Sequence, residues 1–175
     1  EIAVRTIQSV FSKNKRSPQS IGAEEMNGIV EDAVQQANQA IRMVARKNPA
    51  ESNMSTTLVL AVLAGNRLHV AHMGDSRAYL IRNNQAHCLT IDHTLVQEAI
   101  DAGLMTEDEA KVHPNRSVIT SFLGIQDQII VDKDIVYGHG QEQIERRPKD
   151  YIFLRPNDVV LLCSDGLTDQ VSAEE

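Results

Sequence analysis

The sequence predicts an α+β domain built on antiparallel sheet. Helical patterning comes first and strand patterning follows, without the strict strand-helix alternation of a doubly wound parallel sheet. A length of 175 residues suits one domain, so 1–175 is read as a single unit. Apolar residues at 42% and charged residues at 23% are close to globular averages, which supplies enough apolar surface for a core.

Each element has its own signal. Ala3, Ile7, Val10 and Phe11 are spaced as one face of a helix. The polar run from Ser12 to Ser20, with a proline at 18, reads as a loop. From Ala23 to Lys47, apolar residues at Met26, Ile29, Val30, Ala33, Val34, Ala37, Ala40, Ile41 and Val44 describe a long amphipathic helix, which Asn48-Pro49 ends. Thr57 to Leu63 and Arg67 to Met73 are strand-like runs joined by a turn at Ala64-Gly65-Asn66, a hairpin. Arg77 to Arg82 and Gln85 to Thr90, joined through Asn83-Asn84, extend the meander. A short helical pattern through Leu95, Val96, Ala99 and Ile100 follows, and Thr106 to Glu109 is a capping box that opens another short helix. Val118 to Leu123, Gln128 to Val136, Tyr151 to Leu154 and Val159 to Cys163 are the remaining strand candidates, with Gly138 to Lys149 a polar connection. Ser172 to Glu175 reads as a capping box for one more helix, and the first helical pattern is already under way at residue 3, so sequence is expected on both sides of the 175 residues.

Composition excludes several function classes. Seventeen Lys and Arg against 24 Asp and Glu give a net charge of −7, and no basic run is long enough to follow a phosphate backbone, so nucleic acid is not an expected partner. The longest apolar run, Leu58 to Ala64, is far short of the roughly 20 residues of a membrane helix, and the first residues lack signal-peptide architecture. A cytoplasmic protein without a membrane partner is the expectation. Two cysteines, Cys88 and Cys163, each in an apolar run, read as buried thiols rather than a disulfide.

Two acidic positions carry the candidate chemistry. Asp75 follows a strand and a Gly; Asp165 follows the most apolar strand and precedes a Gly. A carboxylate at the mouth of a buried strand, with Gly beside it, suits a hard cation such as Mg²⁺ or Mn²⁺. The same pattern also suits residues that only close turns or cap helices. His69 and His72, three apart on a strand, face opposite sides and cannot chelate one ion together. His93 after Asp92 is read first as a hydrogen-bonding residue at a helix start and second as a functional imidazole. An apolar setting raises the pKa of the Cys163 thiol and argues against a cysteine nucleophile. No Gly-x-Ser-x-Gly or phosphate-cradling glycine loop is present, which removes the common serine hydrolases and P-loop enzymes.

The order of segments completes the reading. Ser55-Thr56-Thr57-Leu58-Val59, Met73-Gly74-Asp75-Ser76-Arg77-Ala78-Tyr79, Thr90-Ile91-Asp92-His93-Thr94-Leu95-Val96, His113-Pro114-Asn115-Arg116 with Leu123-Gly124, and Leu161-Leu162-Cys163-Ser164-Asp165-Gly166-Leu167-Thr168-Asp169 follow one another at telling intervals. This series, over about residues 50 to 171, resembles the bacterial metal-dependent Ser/Thr protein phosphatases of the type 2C (PPM) family. The resemblance implies a β-sandwich of two antiparallel sheets flanked by helices, a four-layer α-β-β-α arrangement, incomplete at both ends in this chain. It implies a binuclear Mn²⁺ or Mg²⁺ centre that activates a water to attack phosphoserine or phosphothreonine. Asp165 would be a ligand of that centre, and Asp75 with Asp165 would hold a possible third ion. Residues 92–116 match the family's flap-like insertion, which serves substrate access. Phosphorylated Ser/Thr proteins, and a Ser/Thr kinase acting in opposition, are the implied partners.

The departures are equally specific. The family's early acidic residues, its Asp-Gly-x-Gly-Gly segment and its phosphate-binding Arg would lie upstream of residue 1, and a late Asp-Asn element beyond residue 175. The catalytic residues are therefore expected outside the 175 residues, and this stretch alone is expected to be weakly active or inactive. Ser55 and Thr94 stand where the family commonly has Gly and Ser. The alternatives are a non-catalytic pseudophosphatase that acts as a regulatory or binding module, and a chain that survives by pairing its open sheet with a partner.

Overall fold

A computed structural model of the chain describes residues 1–137, 146–147 and 151–171. Two helices lead, α1 (Ile2–Lys13) and α2 (Ala23–Lys47). The face of α2 that turns inward carries Met26, Val30, Ala33, Val34, Ala37, Ile41 and Ala45, the three-and-four spacing seen in the sequence. Glu24 and Glu25 in its first turn and Arg46 and Lys47 in its last complement the helix dipole.

The strands β1 (Leu58–Ala64), β2 (Arg67–Met73), β3 (Arg77–Arg82) and β4 (Gln85–Cys88) run as the expected meander but divide between two sheets. Helices α3 (Leu95–Asp101) and α4 (Glu107–Lys111) follow, the second opened by the expected Thr106–Glu109 capping box. The later elements are β5 (Ile135–Val136), β6 (Arg146–Arg147), β7 (Ile152–Phe153), β8 (Val159–Cys163) and α5 (Asp165–Thr168). The first sheet has the order β1-β2-β7, the second β4-β3-β8, and β5 pairs with β6. Every pair is antiparallel.

Strand alternation assigns the two faces of the first sheet to two cores. Leu58, Leu60 and Val62 of β1 and Ala71 and Met73 of β2 pack with the apolar faces of α1 and α2. Val59, Ala61, Leu68 and Val70 point the other way, onto Ala78, Leu80 and Val160 of the second sheet. This is helices on a sheet on a second sheet, the predicted class. Arg82, only 5% exposed, fastens the sheets at one end. It donates to the Phe153 carbonyl of β7 at 3.0 Å, the Tyr137 hydroxyl at 3.0 Å, and both oxygens of Asp158 at 2.9 and 2.6 Å.

The Asn83-Asn84 turn has both residues at positive φ, 53° and 62°, as a two-residue type I′ hairpin requires. Several expected strands are shorter or replaced. The regular ladder of Gln85 to Thr90 ends at Cys88: the Leu89 N–H still donates to Ala78 O at 2.8 Å, but the Ala78 N–H turns to the Thr90 hydroxyl at 3.3 Å instead of returning the bond to the Leu89 carbonyl. Val118 to Leu123 and most of Gln128 to Val136 make isolated bridges instead of a ladder: Thr94 with Ile119, Thr56 with Leu123, His72 with Asp132. Backbone between and within them is held by α2, whose Asn38 bonds Gly124 N–H and Gln126 O at 2.7 and 2.9 Å and whose Gln35 donates to Ile129 O at 2.8 Å. Arg146 and Arg147, expected in a polar connection, form β6. The rest of Gly138 to Lys149, and the capping box at Ser172 to Glu175, lie outside the described residues.

Candidate metal centre

The site is built where β2 ends, β3 begins and β8 ends. Met73 closes β2, Gly74-Asp75-Ser76 makes the turn, and Arg77 opens β3. Gly74 sits at φ +100°, and a Cβ there would lie 2.4 Å from Thr57 Cγ2, so backbone conformation and space both demand glycine. Ser76 Oγ shares a 3.0 Å hydrogen bond with Thr57 Oγ1, which ties the turn to the start of β1.

The pairing of β3 with β8 sets Arg77 opposite Cys163. Just past that pair the strands end, with Asp75 in the turn before β3 and Asp165 as the first residue of α5 after Ser164, near enough for the charge of Asp165 to act on Asp75. The two sequence candidates, 90 residues apart, therefore share one end of the second sheet. Partial burial raises the Asp75 carboxyl pKa, and the negative charges of Asp165 and Asp92 raise it further. The charge of Arg77 works in the opposite direction, while its hydrogen bonds grip Asp92 at 2.8 and 2.7 Å. Two neighbouring carboxylates, one half-buried and one exposed, whose repulsion the Arg77 charge only partly offsets, are an oxygen donor set that suits a hard divalent cation.

Beside this turn lies a cluster that sequence reasoning did not assemble. His72, His93 and Asp132 bring three ligand-type atoms within 4.8 Å of one another. The rings of His72 and His93 stack with centroids 4.6 Å apart. His93 Nε2 is 3.1 Å from Asp132 Oδ2. Burial raises the pKa of Asp132, but hydrogen bonds from His93 and the Asp134 N–H outweigh it and hold the carboxyl below its usual range. His72 is 1% exposed, and burial keeps its imidazole pKa below the ordinary value, against the bond to Ile91 O and the nearby charge of Asp132. The only local signal was the Asp92-His93 pair; nothing in the sequence links it to Asp132, 39 residues on.

His93 is not the helix-start residue expected, since Thr94 caps α3, its hydroxyl accepting from Gln97 N–H at 3.3 Å. The expectation that His69 and His72 part company holds: His69 Nδ1 lies 3.1 Å from Asn27 Oδ1 on the α2 side. Cys88 and Cys163 are free thiols, as expected, but half-buried rather than buried. Burial raises the pKa of Cys163. Among the described residues no helix is long and apolar enough to cross a membrane.

Comparison with known proteins decides the family. The sequence profile of the family described as Protein phosphatase 2C matches residues 4–99, more than half of the chain. The chain belongs to the protein phosphatase 2C family. A similar protein in this family is the serine/threonine phosphatase stp of Listeria monocytogenes serovar 1/2a, 31% identical over 175 residues, which are 100% of this chain and 62% of that one. The serine/threonine protein phosphatase PstP of Mycobacterium tuberculosis H37Rv is 39% identical over 142 residues, 81% of this chain and 24% of PstP. Among solved structures, PstP/Ppp of Mycobacterium tuberculosis superposes with a TM-score of 0.74 at 31% identity, covering 99% of this chain and 65% of that one. The S. agalactiae serine/threonine phosphatase gives 0.79 at 26% identity, covering 98% and 62%. The PstP catalytic domain in complex with two manganese ions gives 0.68 at 29%, covering 99% and 64%. The chain thus has the protein phosphatase 2C fold and spans about three fifths of the length of its Listeria relatives.

Proposed function

We propose that the protein is a metal-dependent Ser/Thr protein phosphatase that removes phosphate from phosphoserine and phosphothreonine in proteins and opposes a Ser/Thr kinase in the cytoplasm. The observation that carries this reading is the closeness of Asp75 and Asp165 where β3 begins and β8 ends, in a chain of the protein phosphatase 2C family. Asp165 and Asp75 would hold Mn²⁺ or Mg²⁺, Asp165 at the binuclear centre and both at a third ion. The bound ions supply an acidified water as nucleophile and positive charge for the phosphoryl oxygens. The chain's own residues hold the donors in place. β8 delivers Asp165 on a five-residue strand, Gly74 lets the backbone turn that carries Asp75, and both hydrogen bonds of the Arg77 fork to a carboxylate go to Asp92. Residues 92–116, which contain α3 and α4 and are bridged at their base through Thr94 and Ile119, fit a flap that governs access of the phosphoprotein.

The test is Mn²⁺-dependent phosphate release from a phosphothreonine peptide by the full-length protein beside its Asp165→Ala variant. Turnover that needs metal and is lost in the variant supports the assignment. A folded full-length protein without turnover under any divalent ion would overturn it in favour of a regulatory pseudophosphatase.

A further inference from the structure

Taking Asp75 as a metal ligand, as proposed above, we propose that His93 is the positioning residue that fixes the Gly74–Asp75 turn, and that Asp132 holds its imidazole in the one tautomer able to do so. His93 meets Gly74 twice. Its backbone N–H donates to Gly74 O at 3.0 Å, and its Nδ1 accepts the Gly74 N–H at 3.2 Å. A backbone N–H can only donate, so Nδ1 carries no proton, and the neutral ring must carry it on Nε2. That Nε2–H points at Asp132 Oδ2, 3.1 Å away. Asp132 is itself fixed: its carbonyl accepts His72 N–H at 2.9 Å and its Oδ1 accepts Asp134 N–H at 2.8 Å. His93 is anchored from the other side by Thr120 N–H on its carbonyl at 2.9 Å.

Hydrogen-bond polarity also decides against a metal ion within the His72, His93 and Asp132 cluster. His72 Nε2 lies 2.8 Å from Ile91 O, an acceptor only, so this nitrogen too is protonated. His72 Nδ1 is buried with no hydrogen-bond partner among the described residues, and the ring serves as the stacking wall for His93. In this arrangement both Nε2 atoms carry protons and offer no lone pair to a cation. What remains is a relay of orientation: Asp132 sets the His93 tautomer, His93 sets the Gly74 amide, and Gly74 sets where the Asp75 carboxylate begins.

The experiment uses the metal-free full-length protein with three substitutions at His93, one at Asp132 and one at Asp75. Asn Oδ1 occupies the place of His Nδ1, so His93→Asn keeps an acceptor for Gly74; His93→Gln reaches only toward Asp132; His93→Ala has neither. Gly74 amide exchange, read by NMR, is expected to stay slow in the Asn variant and to quicken about tenfold or more in the other two. Mn²⁺ affinity by calorimetry is expected to fall about tenfold in the Gln and Ala variants, with the Asn variant within about threefold of wild type. In Asp132→Asn, imidazole ¹⁵N shifts should report that the proton is no longer confined to Nε2. Equal Gly74 exchange in all variants, or Mn²⁺ binding weakened by Asp75→Asn but untouched by His93→Ala, would overturn the inference while leaving the metal reading in place. Mn²⁺ binding indifferent to Asp75→Asn would overturn the metal reading and, with it, the positioning role. Zn²⁺ bound through His72 and His93 would overturn the tautomer assignment.

Discussion

Arg77 grips Asp92 with two parallel hydrogen bonds, Nε to Oδ1 at 2.8 Å and Nη2 to Oδ2 at 2.7 Å, and joins the first residue of β3 to the segment ahead of α3. These bonds raise the guanidinium pKa above its ordinary value, against the cost of burial. Lysine cannot reproduce the fork. Arg77→Lys is expected to lower stability by about 1–2 kcal/mol, the scale of one lost charged hydrogen bond in a half-buried site. A urea titration with unchanged slope would measure it, and an unchanged midpoint would refute the pair's structural role.

The Arg82–Asp158 pair is more deeply buried, with side chains 5% and 3% exposed. The Arg82 hydrogen bonds draw the Asp158 pKa from 3.8 down to about 2. A depressed carboxyl binds fewer protons folded than unfolded, so this pair's stabilisation is complete above the unfolded pKa of about 4 and is lost as pH falls toward 2. Asp158→Asn strands a buried guanidinium and is expected to cost about 3–5 kcal/mol near neutral pH. Denaturation followed from pH 6 down to pH 2 should show the wild type losing its advantage over the variant across the acid range. A constant difference would contradict the linkage.

Gly74→Ala adds a methyl 2.4 Å from Thr57 Cγ2 at a backbone φ of +100°. Overpacking and strain together are expected to cost about 2–4 kcal/mol. Thr57→Ser removes the clashing methyl but keeps the hydroxyl that meets Ser76, so the double variant should recover part of the loss, leaving the strain. Thermal unfolding of the two single variants and the pair would show this as non-additivity; strict additivity would place the cost elsewhere.

Asn38 is fully buried on the inner face of α2, yet it is polar. Its amide spans Gly124 N–H and Gln126 O, at 2.7 and 2.9 Å. Asn38→Leu would leave two buried backbone groups unpaired and is expected to destabilise by about 2–4 kcal/mol despite the added apolar surface. Equilibrium unfolding would check it, with amide exchange at Gly124 showing whether the loss is local.

Much of this architecture is written in local pattern. The spacing of Met26, Val30, Ala33, Val34, Ala37 and Ile41 set both the length of α2 and the face it buries. Asn83-Asn84 fixed a hairpin because asparagine tolerates the positive φ of a type I′ turn. Asp75 and Asp165 stood out because each carboxylate lies beside a glycine at a strand end. Val118 to Leu123 misled because β-branched and apolar residues give the same period whether a strand pairs in a ladder or touches single bridges; α2's Asn38 and Gln35 claim the neighbouring backbone instead.

By itself the sequence determined the helices, the hairpins, the two carboxylates of the candidate centre and the family resemblance, because period, turn chemistry and motif order are properties of neighbouring residues. Only the tertiary structure decided that Asp75 and Asp165 come close where β3 begins and β8 ends, that Arg77 bonds Asp92, and that His93 bonds both Gly74 and Asp132. Those relationships join residues 15 to 90 positions apart. Hydrogen-bond polarity and burial exist only once the sheets have stacked, so no local reading of the chain contains them.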